Sequence, residues 1–293
     1  MKKPQVKNLF RSLTVPEFES VETYKDEKMK KISFILMSLF CVAATGAAEF
    51  LQPVSVDDLA GSVSDVKAIK GGFRINTQNR NFKLGSKKMI KIDPTKKYRV
   101  TCEMRQTPGK KSDGKLYFFI DSIDGANRSI VCDTVFAIPG SETVLAIHAK
   151  KGDKVIRVKD ASKWKNKWSR VAFNAKADFA DLPNFDLAVV TGIRQHGSVW
   201  ELTLKEPLKN DYATGTALRN HSAGATYRYL WGAVKPGEQW TKLDTVIQGV
   251  CREYEAGYLK KWRPGVVNGR ICFFINGSGI DVEIRNLKVV EIL

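Results

Sequence analysis

The amino-acid sequence predicts an all-β protein in which a β-sandwich is interrupted by a small β-barrel subdomain. Three observations lead to this fold class. Short runs rich in β-branched and aromatic residues recur along the chain, and turn signals separate them. One run, KYRVTCEMRQ (97–106), alternates strictly between apolar and polar residues, which is typical of a strand buried on one side. No long amphipathic helix is apparent after residue 47.

The first predicted strands precede residue 139. They are KMIKID (88–93), KYRVTCEMRQ (97–106), KLYFFIDSID (115–124) and SIVCDTVFAI (129–138). The turns between them are expected at Asp93-Pro94, Pro108-Gly109 and Asp124-Gly125. In the run 97–106, the residues expected to face the core are Tyr98, Val100, Cys102 and Met104. Many short strands at this spacing predict a sandwich or a barrel.

A second unit begins after Pro139-Gly140. Its strands are short and closely spaced, and Gln195-His196-Gly197 is expected to form a hairpin turn between AVVTGIR and SVWELTL. This spacing predicts a small closed barrel of about 80 residues. Sandwich-like strand patterns return from residue 226. We therefore expect residues 50–138 plus 226–293 to form one β-sandwich, with the barrel inserted at 140–225.

A signal peptide is predicted at residues 29–47 and not at the first methionine. MKKISFILMSLFCVAATGAAEF starts at Met29 with two lysines close behind, continues with an apolar run, and reaches small residues at Thr45-Gly46-Ala47. The run is shorter than the about 20 apolar residues that span a bilayer. An uncleaved anchor or a core helix is the alternative. Residues 1–28 are polar and lack periodicity, so we interpret them as a disordered extension or a mis-assigned start.

Location and charge together predict the class of partner. Cleavage after residue 47 would leave a secreted, periplasmic or cell-surface protein with no stable membrane insertion. Residues 48–293 carry 40 Lys and Arg against 26 Asp and Glu, a net charge near +14. Such a charge favours polyanionic partners, and in an exported protein it favours acidic or sulfated polysaccharide over nucleic acid. The alternative is that the lysines serve only solubility.

Four cysteines follow the leader: Cys102, Cys132, Cys251 and Cys272. They are far apart, show no CxxC spacing and lie in apolar runs, so buried thiols are expected first. One disulfide is the alternative, with three possible pairings among the four. Only three histidines are present in the sequence, which does not favour a histidine-rich metal site.

Two stretches carry a resemblance to a known family. One is KMIKIDPTKKYRVTCEMRQ, and the other consists of EQWTKLDTVIQG with YLKKWRPGVVNGRICFFINGSGIDVEIRNLKVVEI. They resemble the opening and closing halves of jelly-roll carbohydrate-binding modules of the CenC and galactose-binding-like type. The resemblance covers roughly 150 of the 246 residues after the leader, and the inserted segment departs from the family pattern. It implies a jelly-roll β-sandwich that binds glycans without catalysis.

Two clusters combine aromatic rings with cations, as binding of an anionic polysaccharide requires. In the sandwich, the expected ligand-binding residues are Trp262, Tyr258, Lys261 and Arg263. In the insert, HAKKGDKVIRVKDASKWKNKWSR (148–170) contributes Trp164, Trp168, Lys163 and Lys165. The alternative is that Trp164 and Trp168 cap the core of the insert while the lysines are merely solvated.

A structural Ca²⁺ is the one cofactor that the resemblance implies. Its ligands would be carboxylate and backbone oxygens near the chain ends of the sandwich. Glu49, Asp121 and Asp281 are the candidate ligands, although no loop shows a specific ligand spacing.

Enzymatic activity is not expected. The sequence contains no GxSxG, HExxH, P-loop or GxGxxG motif. We expect an exported, non-catalytic carbohydrate-binding protein that prefers acidic or sulfated polysaccharide. The alternatives are a structural or adhesive cell-surface β-sandwich protein and, third, a polysaccharide lyase that uses His148 with Tyr212 or Tyr227. The oligomeric state is not predicted.

Overall fold

The computed structural model describes residues 49–51, 56–165, 167–224, 229–252, 258–277 and 279–293. The predicted extension (1–28) and signal peptide (29–47) lie outside these residues. Within the described part, no helix combines the length and the hydropathy that crossing a bilayer requires. The predicted all-β fold is confirmed, because the described residues form eighteen strands and only four helices, each a single 3-10 turn.

The strands are β1 (Glu49–Leu51), β2 (Leu59–Gly61), β3 (Val66–Ile69), β4 (Gly72–Thr77), β5 (Lys83–Ser86), β6 (Ile90–Lys91), β7 (Lys97–Gln106), β8 (Lys115–Ile123), β9 (Thr143–Val144), β10 (Val155–Val158), β11 (Ser169–Phe173), β12 (Leu187–His196), β13 (Val199–Leu204), β14 (Ala217–Ser222), β15 (Tyr229–Val234), β16 (Thr241–Gln248), β17 (Asn268–Asn276) and β18 (Ile280–Ile292). The 3-10 helices are Val56–Asp58, Val63–Asp65, Cys132–Thr134 and Tyr258–Lys260.

Two antiparallel sheets form the sandwich. Sheet A has the order β16-β7-β18-β4-β3, with β1 also paired to β18. Sheet B has the order β15-β8-β17-β5-β2, with β6 also paired to β17. Strands β4, β7, β16 and β18 of sheet A interleave in sequence with β5, β8, β15 and β17 of sheet B, as in a jelly roll with two Greek keys. Strands β8 and β15, which flank the insert in sequence, are neighbours in sheet B.

The sandwich core lies between these sheets. Alternation in β7 directs Tyr98, Val100, Cys102 and Met104 inward, where all four are buried as predicted. Sheet B contributes Phe118 and Phe273, whose rings stack with centroids 4.9 Å apart, and Phe73 of sheet A meets Phe273 edge-on. Burial of apolar surface on this scale is the main stabilising contribution to such a fold.

The inserted strands form a third sheet, sheet C, with the order β10-β13-β12-β11-β14-β9. A bridge between Leu145 and Val158 joins the two ends of this order, so that the sheet is nearly a closed barrel. Its interior is filled by aliphatic and aromatic side chains, among them Leu145, Val171, Phe173 and Leu202. The β12–β13 hairpin turns at Gly197, whose φ of 60° is one that glycine adopts without strain.

The four cysteines in the described residues form no disulfide with one another. Cys102, Cys132 and Cys251 are buried, and Cys272 is half-buried. Burial raises the pKa of Cys102 to about 12 and that of Cys132 to about 11, so both thiols are neutral. The prediction of buried small hydrophobic side chains is confirmed for these two, and the disulfide alternative is not realised.

Candidate functional site

The outer face of sheet B carries a different kind of surface from the rest of the sandwich. In β8, alternation places Leu116, Phe118 and Ile120 in the core, so that Tyr117, Phe119 and Asp121 lie on the outer side. In β17, the same alternation puts Arg270, Cys272 and Phe274 on that side. The register pairs Arg270 with Asp121 and Phe274 with Tyr117 across the two strands. Two neighbouring central strands therefore present aromatic rings and opposite charges together.

A depression of about 510 Å³ lies over these strands. Its lining runs from β2 and β5 across β17 to β8, and includes Phe119, Asp121, Arg270, Cys272 and Phe274. Gly85 of β5 leaves space here, because a Cβ at this position would stand 3.4 Å from Arg270 Cδ and 3.5 Å from Cys272 Sγ. Any side chain larger than alanine would extend over the arginine. Glycine at this position therefore keeps the depression open.

One wall of the depression continues as an aromatic surface. The Tyr117 and Phe274 rings are stacked, with centroids 4.4 Å apart and planes 8° from parallel. Phe119 meets Phe274 edge-on, with centroids 6.0 Å apart. Tyr117 and Phe274 are both half-buried, so part of the ring pair reaches solvent. Stacked aromatic rings that reach solvent offer apolar surface to a ligand.

Arg270 is the charged group in the depression whose side chain is partly buried without an acceptor at Nε in the described part of the chain. Among the described residues its guanidinium forms no ion pair, and its buried Nε has no hydrogen-bond acceptor. Asp121, its neighbour across the strands, accepts a hydrogen bond from Ser129 Oγ at 2.5 Å. Lys83 and Lys87 are exposed and also line the depression. Since a buried N–H group without an acceptor is unfavourable, this site is suited to a ligand that brings oxygen acceptors.

Cys272 supplies no nucleophile to this site. Burial, and after it the negative charge of Asp121, raises the pKa of its thiol to about 12. The thiol is therefore neutral at physiological pH and acts as a small apolar side chain in the depression.

The residues predicted from KKWRPG do not form a ligand surface. The exposure expected for Trp262 is wrong: its side chain is 0 % exposed and its indole meets Tyr98 edge-on at 5.4 Å in the core. Arg263 is also buried and donates to the Ile130 carbonyl. Tyr258 is half-buried with its ring edge-on to Phe136, and Lys261 is half-buried too. A bridge between Val250 and Trp262 holds this segment against the chain that follows β16.

The residues predicted in the insert are divided between core and surface. Trp164 is buried and donates from Nε1 to the Ser141 carbonyl at 2.9 Å, so the alternative of a core-capping residue is correct for it. Trp168, in contrast, is 71 % exposed, and Lys163 and Lys165 are exposed near it in sequence. The structure thus retains part of this cluster and removes Trp164 from it.

The three candidate calcium ligands do not lie together. Asp281 is held by Arg74 and Thr107 at one end of β18, whereas Glu49 pairs with Val290 near its other end. Nine residues of strand separate these positions, a distance of about 30 Å, and Asp121 belongs to the other sheet. One ion therefore cannot use all three, which corrects this ligand set. Among the described residues no group of three acidic, histidine or cysteine side chains could hold a metal. Calcium binding itself stays a prediction.

The tyrosine considered for a lyase also has a structural place. Tyr212 is buried in the barrel, stacked on Phe173 with centroids 3.9 Å apart, and its hydroxyl donates to Asp186. Burial raises its pKa to about 12, which disfavours the phenolate that proton abstraction would use. Tyr227 lies outside the described residues.

Sequence reasoning missed Tyr117, Phe274 and Arg270. A signal was present, since KLYFFIDSID and GRICFFING carry aromatic residues on both faces of a strand. An aromatic outer face on two strands indicates either a covered or a ligand-binding surface. No protein-family model matches this chain, and no curated protein matches it.

Proposed function

We propose that this chain is an exported, non-catalytic carbohydrate-binding protein that holds an acidic polysaccharide against the outer face of sheet B. The jelly-roll fold and the family resemblance support this function class, but a fold alone does not fix function. The observation that carries the proposal is Arg270, a guanidinium without a carboxylate partner among the described residues, beside the stacked Tyr117–Phe274 surface.

The geometry suits a sugar that carries a carboxylate or a sulfate. The aromatic surface would pack against the apolar face of a pyranose ring, and the guanidinium would bind the acidic group through charge-assisted hydrogen bonds. Lys83 and Lys87 at the rim add positive charge that attracts the polymer. Export rests on the predicted leader at 29–47, which would place the protein among extracellular, periplasmic or surface polysaccharides.

The test is affinity electrophoresis of the protein through gels that contain neutral, carboxylated or sulfated polysaccharide, at low and high salt. We expect retardation by an acidic polymer that persists at high salt, because stacking and desolvated hydrogen bonds are screened little. Arg270→Met keeps the apolar part of the side chain and removes the charge. It should weaken binding by at least about tenfold, the effect of losing one hydrogen bond to a charged group.

Arg105→Met on the outer face of sheet A is the matched control, since it removes the same charge from the opposite side of the sandwich. It should leave retardation unchanged. Equal losses of retardation in Arg270→Met and Arg105→Met would mean that the polymer responds only to the overall positive charge, and would contradict the proposal. Absence of retardation of the native protein by every polymer would contradict it as well. Single-stranded DNA in a parallel gel should be bound only weakly and lost with salt.

A further inference from the structure

Trp168 is exposed on the surface of the insert and has an unfavourable backbone conformation. Its side chain is 71 % exposed, and its φ of 63° lies in the left-handed region that large side chains rarely adopt. An exposed indole contributes little apolar burial to stability, and a strained backbone at a large side chain lowers stability. Strain of this kind is concentrated at functional positions, which makes Trp168 a candidate for binding.

The loop that carries Trp168 is described at residues 159–165 and 167–168, and its first residue is held by a bond from the Lys159 amide to the Val144 carbonyl at 3.0 Å. Trp164 fixes its middle through the bond from Nε1 to the Ser141 carbonyl. At the start of the loop the Asp160 carboxylate accepts from the Ser162 amide at 2.8 Å, and at its end the Trp168 carbonyl accepts from the Ala223 amide at 2.6 Å. The indole is therefore presented by a pinned loop, which reduces the entropy lost when a ligand binds.

The same loop carries positive charge that is not neutralised. Its exposed lysines form no ion pair among the described residues, and they are Lys159, Lys163, Lys165 and Lys167. The one carboxylate in the loop, Asp160, accepts from the Ser162 amide, and the charge of Lys163 also helps to lower its pKa, so one carboxylate faces four lysines. An exposed indole on a loop with four exposed lysines is complementary to a polymer with regularly spaced anionic groups.

A largely buried hydrogen-bond network joins the insert to the sandwich. Arg219 of β14 is completely buried, with Nη2 2.7 Å from Asp181 Oδ2 and Nε 3.2 Å from His221 Nε2. Burial lowers the pKa of His221 to about 4, so the neutral ring accepts from Arg219 and donates from Nδ1 to the Asp133 carbonyl at 2.8 Å. Asp133 in turn accepts from Arg170 of β11 at 2.8 Å. This buried network crosses the junction between barrel and sandwich.

The chain itself limits the distance between the two surfaces. Trp168 is bonded to Ala223, and six residues later Tyr229 of β15 stands opposite Phe119 of β8. Six residues span at most about 20 Å. The loop therefore lies within reach of the edge of sheet B that borders the aromatic surface, a separation that one polysaccharide chain can bridge.

We propose that the Trp168 loop is a second contact site for the same acidic polysaccharide, so that one protein molecule holds one polymer at two places. This inference rests on the proposed function of sheet B. Two linked contacts raise the apparent affinity for a long chain far above that for a fragment that fills only one of them.

The test compares a carboxylated polymer with a short oligosaccharide of the same sugar by calorimetry on the protein. Trp168→Ala should weaken binding of the polymer by at least about tenfold and leave the affinity for the oligosaccharide unchanged. Trp168→Gly should weaken it equally without lowering the unfolding midpoint, since glycine adopts a positive φ freely. A loss of binding in the glycine variant then cannot be a folding defect.

A triple variant replaces Lys163, Lys165 and Lys167 of the loop by Gln. Its control replaces Lys150, Lys151 and Lys154, elsewhere on the barrel, by Gln. Only the variant of Lys163, Lys165 and Lys167 should weaken polymer binding as Trp168→Ala does. Equal losses of affinity in the two triple variants would overturn the inference, because they would mean that the polymer responds only to the overall positive charge. Unchanged polymer binding in Trp168→Ala, with Arg270→Met defective, would overturn the second site alone. Failure of the native protein to bind either ligand would overturn the proposed function. Binding to phosphatidylserine vesicles that needs Trp168, with no effect on polymer, would also overturn the inference.

Discussion

The two outer faces of the sandwich treat their charges in opposite ways. On sheet A, basic side chains are matched with carboxylates on neighbouring strands: Arg74 with Asp281, Arg99 with Asp244, Arg105 with Glu283, Arg285 with Glu103, and Lys96 with Glu291. Trp240 lies between two of these guanidiniums, 4.5 Å from that of Arg105 and 3.9 Å from that of Arg285. On sheet B, Arg270 has no such partner among the described residues, and aromatic rings replace the network.

This difference shows that pairing, and not net charge, locates the surface available to an anion. A guanidinium already bound to a carboxylate gains little from a second one, because part of its hydrogen-bonding capacity is used. The charge near +14 is therefore unevenly available. The pairs on sheet A add nothing to this excess, which is carried by basic side chains outside such pairs, among them Arg270 and the lysines of the Trp168 loop.

The largest effect is expected from filling the depression on sheet B. In Gly85→Leu the new side chain would lie over Arg270 and occupy the space of the ligand. Polysaccharide affinity should fall by at least about 100-fold, or roughly 3 kcal/mol. Gly85→Ala is the control, because its Cβ meets neighbours at ordinary contact distances of 3.4 Å and beyond. A leucine variant that folds and binds normally would show that the ligand lies elsewhere.

The next effect concerns the stability of sheet A. Asp281 is 9 % exposed in its side chain and accepts from Arg74 Nε and Thr107 Oγ1, both at 2.6 Å. Asp281→Asn removes the charge from these bonds and should lower the free energy of unfolding by about 2 kcal/mol. Urea unfolding measures this value, and binding at pH 7 to the acidic polymer should not change. Reduced polymer binding by a folded Asp281→Asn variant would show that sheet A also contributes to binding.

How much of this arrangement could be predicted depends on its range in sequence. Alternation within 97–106 predicted correctly which side chains of β7 enter the core, because that pattern is local. The position of Trp262 could not be predicted, since flanking lysines suggested exposure whereas the bridge to Val250 and the contact with Tyr98 bury it. The absence of an ion pair at Arg270, among the described residues, could not be predicted either. Whether an outward arginine is paired depends on the neighbouring strand, and that is set by sheet order.

The Asp281 carboxylate also makes the stability of the molecule depend on pH. Burial opposes ionisation of Asp281, but hydrogen bonds from Arg74 and Thr107 and the charge of Arg74 hold its pKa below 3.8. The unfolded chain then binds the proton more tightly. The stabilisation is complete above about pH 5 and is lost as the pH falls through the lowered pKa. Unfolding measured at several pH values from neutral downward should show a steeper acid loss in the native protein than in Asp281→Asn. Parallel curves would contradict this origin.

The smallest effect tests whether the exposed pairs of sheet A contribute to stability or mainly neutralise charge. Arg285 donates from Nε to Glu103 at 2.7 Å and covers Trp240, but its side chain is 38 % exposed. Arg285→Met should therefore lower the free energy of unfolding by about 1 kcal/mol or less, and the difference should shrink as salt is added. Arg270→Met, which breaks no ion pair among the described residues, should cause no loss of stability under the same conditions. Arg285→Met leaves the negative charge of Glu103 unpaired, and that charge should repel an anionic polymer. Stronger polymer binding by this variant would therefore contradict the neutralising role of the pairs on sheet A. Unchanged binding together with a small, salt-sensitive loss of stability would mean that this face uses its charges on itself.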